Sequence, residues 1–165
     1  MERSAKLIFV TVVVALAVTR PAFADSVRAA SAAFARGEFV KVARLLPPLA
    51  ERGNARAQAM LGFMYATGQG VPQAYDAASY WYRLSAEQGN TTAQYLLGLM
   101  YDKGHGVPRD EVAAYAWLNL AAARAPKQLR GKYQNLRNAV ASKMTRGQIA
   151  EGQWLARQWS AGPDF

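Results

Sequence analysis

Two nearly identical hexapeptides, GQGVPQ at residues 68–73 and GHGVPR at 104–109, set glycines one residue apart ahead of a Val-Pro pair. Such glycines could cradle a phosphate on backbone N–H groups. The second copy also holds the only histidine, His105, with Asp102 and Asp110 nearby as a candidate metal set. Neither chemistry is complete. A dinucleotide loop needs a third glycine, a strand before it and a helix N-terminus facing the phosphate; here a helical pattern precedes the loop and the third glycine is absent. One histidine without cysteine is poor ligation for a transition metal. The remaining role is an inter-helix turn. Glycine supplies backbone angles closed to other residues, and Pro72 and Pro108 suit the first turn of a following helix.

Other reactive side chains are equally isolated. Ser79, Ser85 and Ser142 have no base close in sequence, and a serine nucleophile needs one. Asp110 and Glu111 are adjacent carboxylates of the kind used in glycoside cleavage, but at a helix start they favour the dipole instead. There is no cysteine, so thiolate chemistry, disulfides and cysteine metal sites are excluded. The sequence therefore yields no catalytic residue, metal or cofactor, and the expectation is a non-enzyme.

Stepping the sequence against itself by 36 residues explains the hexapeptides. Ala57-Gln58 falls on Ala93-Gln94, Leu61-Gly62 on Leu97-Gly98, and Met64-Tyr65 on Met100-Tyr101. Gly68, Gly70, Val71 and Pro72 meet Gly104, Gly106, Val107 and Pro108; Ala77, Ala78 and Trp81 meet Ala113, Ala114 and Trp117. A fixed period of this length marks stacked units that share a core with their neighbours. Ala57, Leu61 and Tyr65 lie four apart on one helical stripe, with Gly62 beside them for close helix approach. Ala74, Ala77, Ala78, Trp81 and Leu84 form a second helix after the turn.

These stretches, AQAMLGFMYATGQGVPQAYDAASYWYRLSAEQG and AQYLLGLMYDKGHGVPRDEVAAYAWLNLAA, resemble the Sel1-like repeat, a longer-looped relative of the tetratricopeptide repeat. The repeat-defining positions are Leu61, Gly62, Tyr65, Gly68, Gly70, Pro72, Ala78 and Trp81, then Leu97, Gly98, Tyr101, Gly104, Gly106, Pro108, Ala114 and Trp117. Ala74 departs from the acidic residue usual at the loop exit, which Asp110 keeps, and this removes a helix cap. The resemblance implies an all-α solenoid, a right-handed superhelix of about four antiparallel helix pairs. Repeat 1 covers residues 54–89 and repeat 2 residues 90–125. Residues 25–53 read as a tetratricopeptide-like pair with a turn at Gly37, and the Pro47-Pro48 pair predicts a kink or break in its second helix. Residues 126–165 read as basic capping helices, with Leu129, Tyr133, Leu136 and Val140 on one stripe and a Thr145/Gln148 capping box for the last helix.

In such repeats the first helix of each pair lines a concave groove. The resemblance therefore implies partner-facing positions at Arg56, Ala59, Phe63 and Ala66, then Thr92, Tyr95, Leu99 and Asp102. The function expected is presentation of that groove to a protein or peptide segment. A basic C-terminal surface of Arg130, Lys132, Arg137 and Lys143 offers an alternative, contact with an anionic lipid or polysaccharide surface. Charge is concentrated there: residues 123–165 hold eight basic and two acidic residues, against nine and eight in residues 25–122. The bland reading of those cations is a soluble terminal cap. A hydrolase of cell-wall or β-lactam substrates is the third alternative; the cysteine-rich relatives associated with β-lactams differ from this chain, which has neither cysteine nor a Ser-x-x-Lys motif.

Residues 1–24 have a basic start, twelve uncharged residues from Leu7 to Val18 and an Ala22-x-Ala24 site, the pattern of a cleaved export signal. The apolar run is shorter than the ~20 residues that cross a bilayer, and no later segment is long and apolar enough to span one either. The expectation is an exported protein without a transmembrane segment after cleavage, in the periplasm of a Gram-negative bacterium or secreted. Nucleic acid is not expected as a partner in that compartment.

Overall fold

The computed structural model describes residues 26–161, so the segment read as an export signal lies outside it. Residues 26–35 form helix α1; then come α2 (Phe39–Glu51), α3 (Ala55–Thr67), α4 (Tyr75–Glu87), α5 (Thr91–Lys103), α6 (Glu111–Arg124), α7 (Lys127–Ala141) and α8 (Arg146–Ala161). There is no strand among the described residues, and the fold is an all-α solenoid.

Helix boundaries follow local chemistry that itself repeats. Asn54 and Asn90 cap α3 and α5, their side-chain oxygens accepting the N–H of Ala57 and Ala93 at 2.9 and 3.0 Å. Gly68 and Gly104 end the same helices in the left-handed region and donate their N–H groups to Met64 and Met100 carbonyls. Asp110 caps α6 by accepting from the N–H groups of Val112 and Ala113, whereas Ala74 gives α4 no side-chain cap. An absent cap of this kind is worth about 1 kcal/mol. Thr145 and Gln148 form the reciprocal box ahead of α8.

Two expectations change. Pro72 and Pro108 stand two residues ahead of the helix caps rather than in the first helical turn, because the chain leaves the turn extended. There the N–H groups of Ala74 and Asp110 donate back to the Tyr65 and Tyr101 carbonyls at 3.0 Å. Helix α2 runs unbroken through Pro47 and Pro48. Val42, Leu46 and Leu49 are buried on its inner face, and burial at about 1.5–3 kcal/mol per large side chain outweighs the lost hydrogen bonds. Arg44, whose carbonyl lies one turn before Pro48, is exposed, so water can serve that orphaned acceptor.

Within each repeat, glycine brings the two helices together. A Cβ on Gly62 would lie 2.7 Å from the Tyr82 ring, and one on Gly98 would lie 2.7 Å from Leu118 Cγ. Between repeats, a buried glutamine does the joining. Gln58 donates to the Ala50 carbonyl and Gln94 to the Ala86 carbonyl, both at 3.0 Å, each closing the end of the preceding helix. The turns lock backwards too. Gly70 sits against the Phe39 carbonyl at the start of α2, and Gly106 against the Tyr75 carbonyl at the start of α4, closer than any Cβ permits. Ser79 Oγ lies 3.0 Å from the Gly106 carbonyl and 2.8 Å from that of Asp76, tying the second turn to α4.

The last two helices close the stack differently. Both pack on α6 rather than chiefly on each other. Helix α7 buries only Tyr133 and Val140, too narrow an apolar face to hold a partner helix on its far side. Helix α8 brings Gly152 against Tyr115 and the Val112 carbonyl, buries Ala156, and stacks Trp159 on Trp117 with centroids 4.4 Å apart.

Candidate functional site

Helices α1, α3 and α5 leave an open depression of about 370 Å³ between them. Its apolar wall is Phe34 from α1, Ala59, Met60 and Phe63 from α3, and Leu96 from α5; Arg56, Asn90 and Thr92 form the polar rim. Side chains of α1 and α3 meet within the wall. Phe63 meets Phe34 edge-on at 5.4 Å, and Ser31 Oγ lies 4.0 Å from the Met60 sulfur. Arg56 is exposed, and no ion pair or hydrogen bond engages its guanidinium among the described residues. Both helices that supply the rim are held at their N-termini by the Asn54 and Asn90 caps.

Of the eight groove positions expected from sequence, Arg56, Ala59, Phe63 and Thr92 line this depression. Ala66 and Leu99 are partly buried outside it. Two are corrected. Tyr95 does not face a partner: it stacks on Tyr133 of α7 with centroids 4.3 Å apart, and Lys132 Nζ stands 5.2 Å above its ring. Asp102 is not outward-facing either. It is 4% exposed and accepts from Lys143 at 2.9 Å while Lys103 pairs with its second oxygen at 3.0 Å. In both cases α7 and the turn that follows it cover a face of α5 that the repeat pattern alone leaves open.

Sequence reasoning missed Phe34, Met60, Asn90 and Leu96. Met60 and Leu96 are 36 apart, so the period paired them, and their step of four from Arg56 and Thr92 marked the face. Asn90 follows Gly89 as Asn54 follows Gly53, a doubled Gly-Asn cap signal. Phe34 lies outside the repeat and only tertiary packing reveals it.

The four basic residues expected as a surface are each engaged by the body of the fold. Arg130 reaches the Ala125 carbonyl at 3.4 Å, Arg137 binds Asn119 and Asn138, Lys132 covers Tyr95 and Lys143 holds Asp102. They tether α7 while retaining charge. Burial pushes the Asp102 carboxyl up, but hydrogen bonds and charge from Lys143 and Lys103 outweigh it, and the group titrates below the ordinary aspartate range. Burial alone raises the Tyr82 hydroxyl.

The remaining reactive groups do not assemble. His105 stacks on Tyr75 at 4.8 Å, Asp110 is occupied as a cap, Glu111 pairs with Arg109, and Ser79 and Ser85 bond backbone carbonyls. Among the described residues no three His, Cys, Asp or Glu side chains come together in a metal-binding group, and no helix is long and apolar enough to cross a membrane.

Comparison with known proteins agrees with this geometry. The Sel1 repeat family matches residues 55–90 and 91–125. A protective antigen present in uropathogenic Escherichia coli strains, displaying an SLR fold, is similar at 30% identity over 81% of this chain and 29% of its own, with a TM-score of 0.74. A Sel1 repeat protein from Oxalobacter formigenes is similar at 31% identity over 61% of this chain and 40% of its own, with a TM-score of 0.57. The chain thus spans well under half the length of either. The search of curated proteins gives no match. Repeats of this family typically act as non-enzymatic scaffolds for protein interaction. Two matched repeats, a shared fold and the 36-residue pattern of caps, turns and close helix contacts together identify residues 55–125 as a pair of Sel1 repeats within an all-α solenoid.

Proposed function

We propose that the protein is a non-enzymatic scaffold of the bacterial cell envelope that holds a protein or peptide segment in the depression between α1, α3 and α5. The observation that carries this reading is the composition of that depression: five apolar side chains on three helices, ringed by three polar ones. An anchor side chain entering such a wall gains apolar burial at about 25 cal/mol per Å², and α3 and α5, tied to α2 and α4 by Gln58, Gln94 and the two turns, present it with a reduced cost of ordering. The export-like composition of residues 1–24 supports placement in the envelope, in the periplasm or beyond the cell. Contact with an anionic lipid or polysaccharide surface through α7 is a weaker reading, because Arg130, Lys132, Arg137 and Lys143 already serve the fold.

Cross-linked pull-down from the native envelope tests the proposal. Wild type is compared with Phe63→Ala and with Ala59→Arg, which fills the depression without removing a packed side chain. Both variants are first matched to wild type by circular dichroism. Loss of the same discrete protein from both variants supports the groove. Recovery of an unchanged set by both removes it.

A further inference from the structure

Charge divides between the two helices of each unit. The first helices, α1, α3, α5 and α7, carry seven cations, namely Arg28, Arg56 and Lys103 on the first three and four on α7, against the single carboxylate of Asp102. The second helices, α2, α4, α6 and α8, hold six cations and five carboxylates. The lone acid on the first helices is buried and paired with two lysines, so it offers a ligand no negative charge. Arg56 is the sole ionisable side chain among the residues lining the depression.

Resting on the groove reading above, we infer that the segment held there is acidic: an apolar anchor residue flanked by carboxylates. The anchor enters the Phe34, Met60, Phe63 and Leu96 wall. A carboxylate beside it takes the Arg56 guanidinium, whose planar fork suits bidentate contact. Asn90 and Thr92 stand on the same rim, and Thr92 has a hydroxyl to donate. The excess positive charge of the first helices acts at longer range. It raises the local concentration of acidic segments and speeds their encounter, in a manner that salt suppresses. A lysine-rich segment with the same anchor meets the positive charge of Arg56 and, at longer range, of α7, and no carboxylate on the rim.

The test is fluorescence anisotropy with the protein purified from cells expressing the full 165-residue sequence. The probes are short fluorescein-labelled peptides with one central Leu-Phe pair, flanked by aspartates, by serines or by lysines. The aspartate peptide is expected to bind about fivefold more tightly than the serine peptide, the scale of one exposed ion pair, and the margin shrinks at high salt. Arg56→Glu, at an exposed position that carries no packing, is expected to invert the order of aspartate and lysine peptides. Phe63→Ala is expected to weaken all three alike. If the three peptides bind equally and all lose affinity with Phe63→Ala, the groove stands and its acidic preference falls. If no peptide responds to Phe63→Ala, the groove reading falls with it. If aspartate binding survives Arg56→Glu but disappears with Lys127→Glu and Arg130→Glu, the acidic contact belongs to α7 and the inference is overturned.

Discussion

Gly104→Ala and Gly106→Ala separate backbone strain from docking within one turn. Both glycines have positive φ, +73° and +67°, so an alanine at either costs about 1–2 kcal/mol for the left-handed conformation. Their surroundings differ. A Cβ at position 104 would meet the Arg109 side chain at an ordinary 3.4 Å, whereas one at 106 would come within 2.0 Å of the Tyr75 carbonyl oxygen. That oxygen is backbone at the start of α4 and cannot swing aside, so the turn must lift away. Lifting loses the Ser79 contact with the Gly106 carbonyl, worth about 1 kcal/mol, and the packing beneath it. Gly106→Ala should therefore cost about 4 kcal/mol. Urea unfolding followed by circular dichroism should separate the two midpoints by about 1–2 M. Ser79→Ala should cost about 1 kcal/mol alone and little more in the Gly106→Ala background, since the contact is already gone. Equal losses for the two alanines would show that the turn merely reverses the chain and does not fasten repeat 2 to α4.

Asp102 makes stability pH-dependent with a definite sign. Its folded pKa is lowered, so its contribution is present above the unfolded value near ~4 and is lost as pH falls through the folded value. Urea midpoints should drop below about pH 4, and Asp102→Asn should flatten that part of the profile. Gln94 Oε1 is buried with no partner among the described residues, while Gln58 Oε1 in repeat 1 accepts from Gln88 at 2.7 Å. Position 124, equivalent to Gln88, is an exposed arginine, so Arg124→Gln should supply the donor and raise stability by about 1 kcal/mol in the same assay. Trp159→Ala should cost about 3 kcal/mol through the lost Trp117 stack, and hydrogen exchange should speed in α8 before α3 or α5.

How much of this was legible in the sequence depends on the range of the interactions. The caps, turns and close-packed glycines are set by residues within one unit or its neighbour, and the 36-residue period prints each of them twice. Gly62 and Gly98, Asn54 and Asn90, Gln58 and Gln94 announce themselves as pairs. What the period could not show is where the repeat stops. Tyr95 is the counterpart of Ala59, which lies open on the depression, yet it is covered because α7 brings Tyr133 and Lys132 over it. Asp102 has no charged counterpart at position 66, which is alanine, and its partner Lys143 lies 41 residues away. Pro47 and Pro48 mislead for a different reason: local propensity opposes the helix there, and tertiary burial decides it.

The same contrast bears on why the depression lies at α1, α3 and α5. Each repeat is tied to the one before it by a glutamine at the start of its first helix and a glycine turn at its end, so successive first helices are held at fixed spacing. Where both flanking positions carry small or apolar side chains, as at Ala59, Met60 and Leu96, that spacing leaves an open wall. Where α7 carries Tyr133 against Tyr95 and the turn after it sets Lys143 against Asp102, the gap closes. The chain thus uses one scaffold spacing for two outcomes, and side-chain volume and charge select between them. Enlarging a side chain at position 59 should close the wall as Tyr95 with α7 closes its neighbour. That is why Ala59→Arg is the most direct perturbation of the proposed site: it imitates, in the open unit, what the capped unit already does.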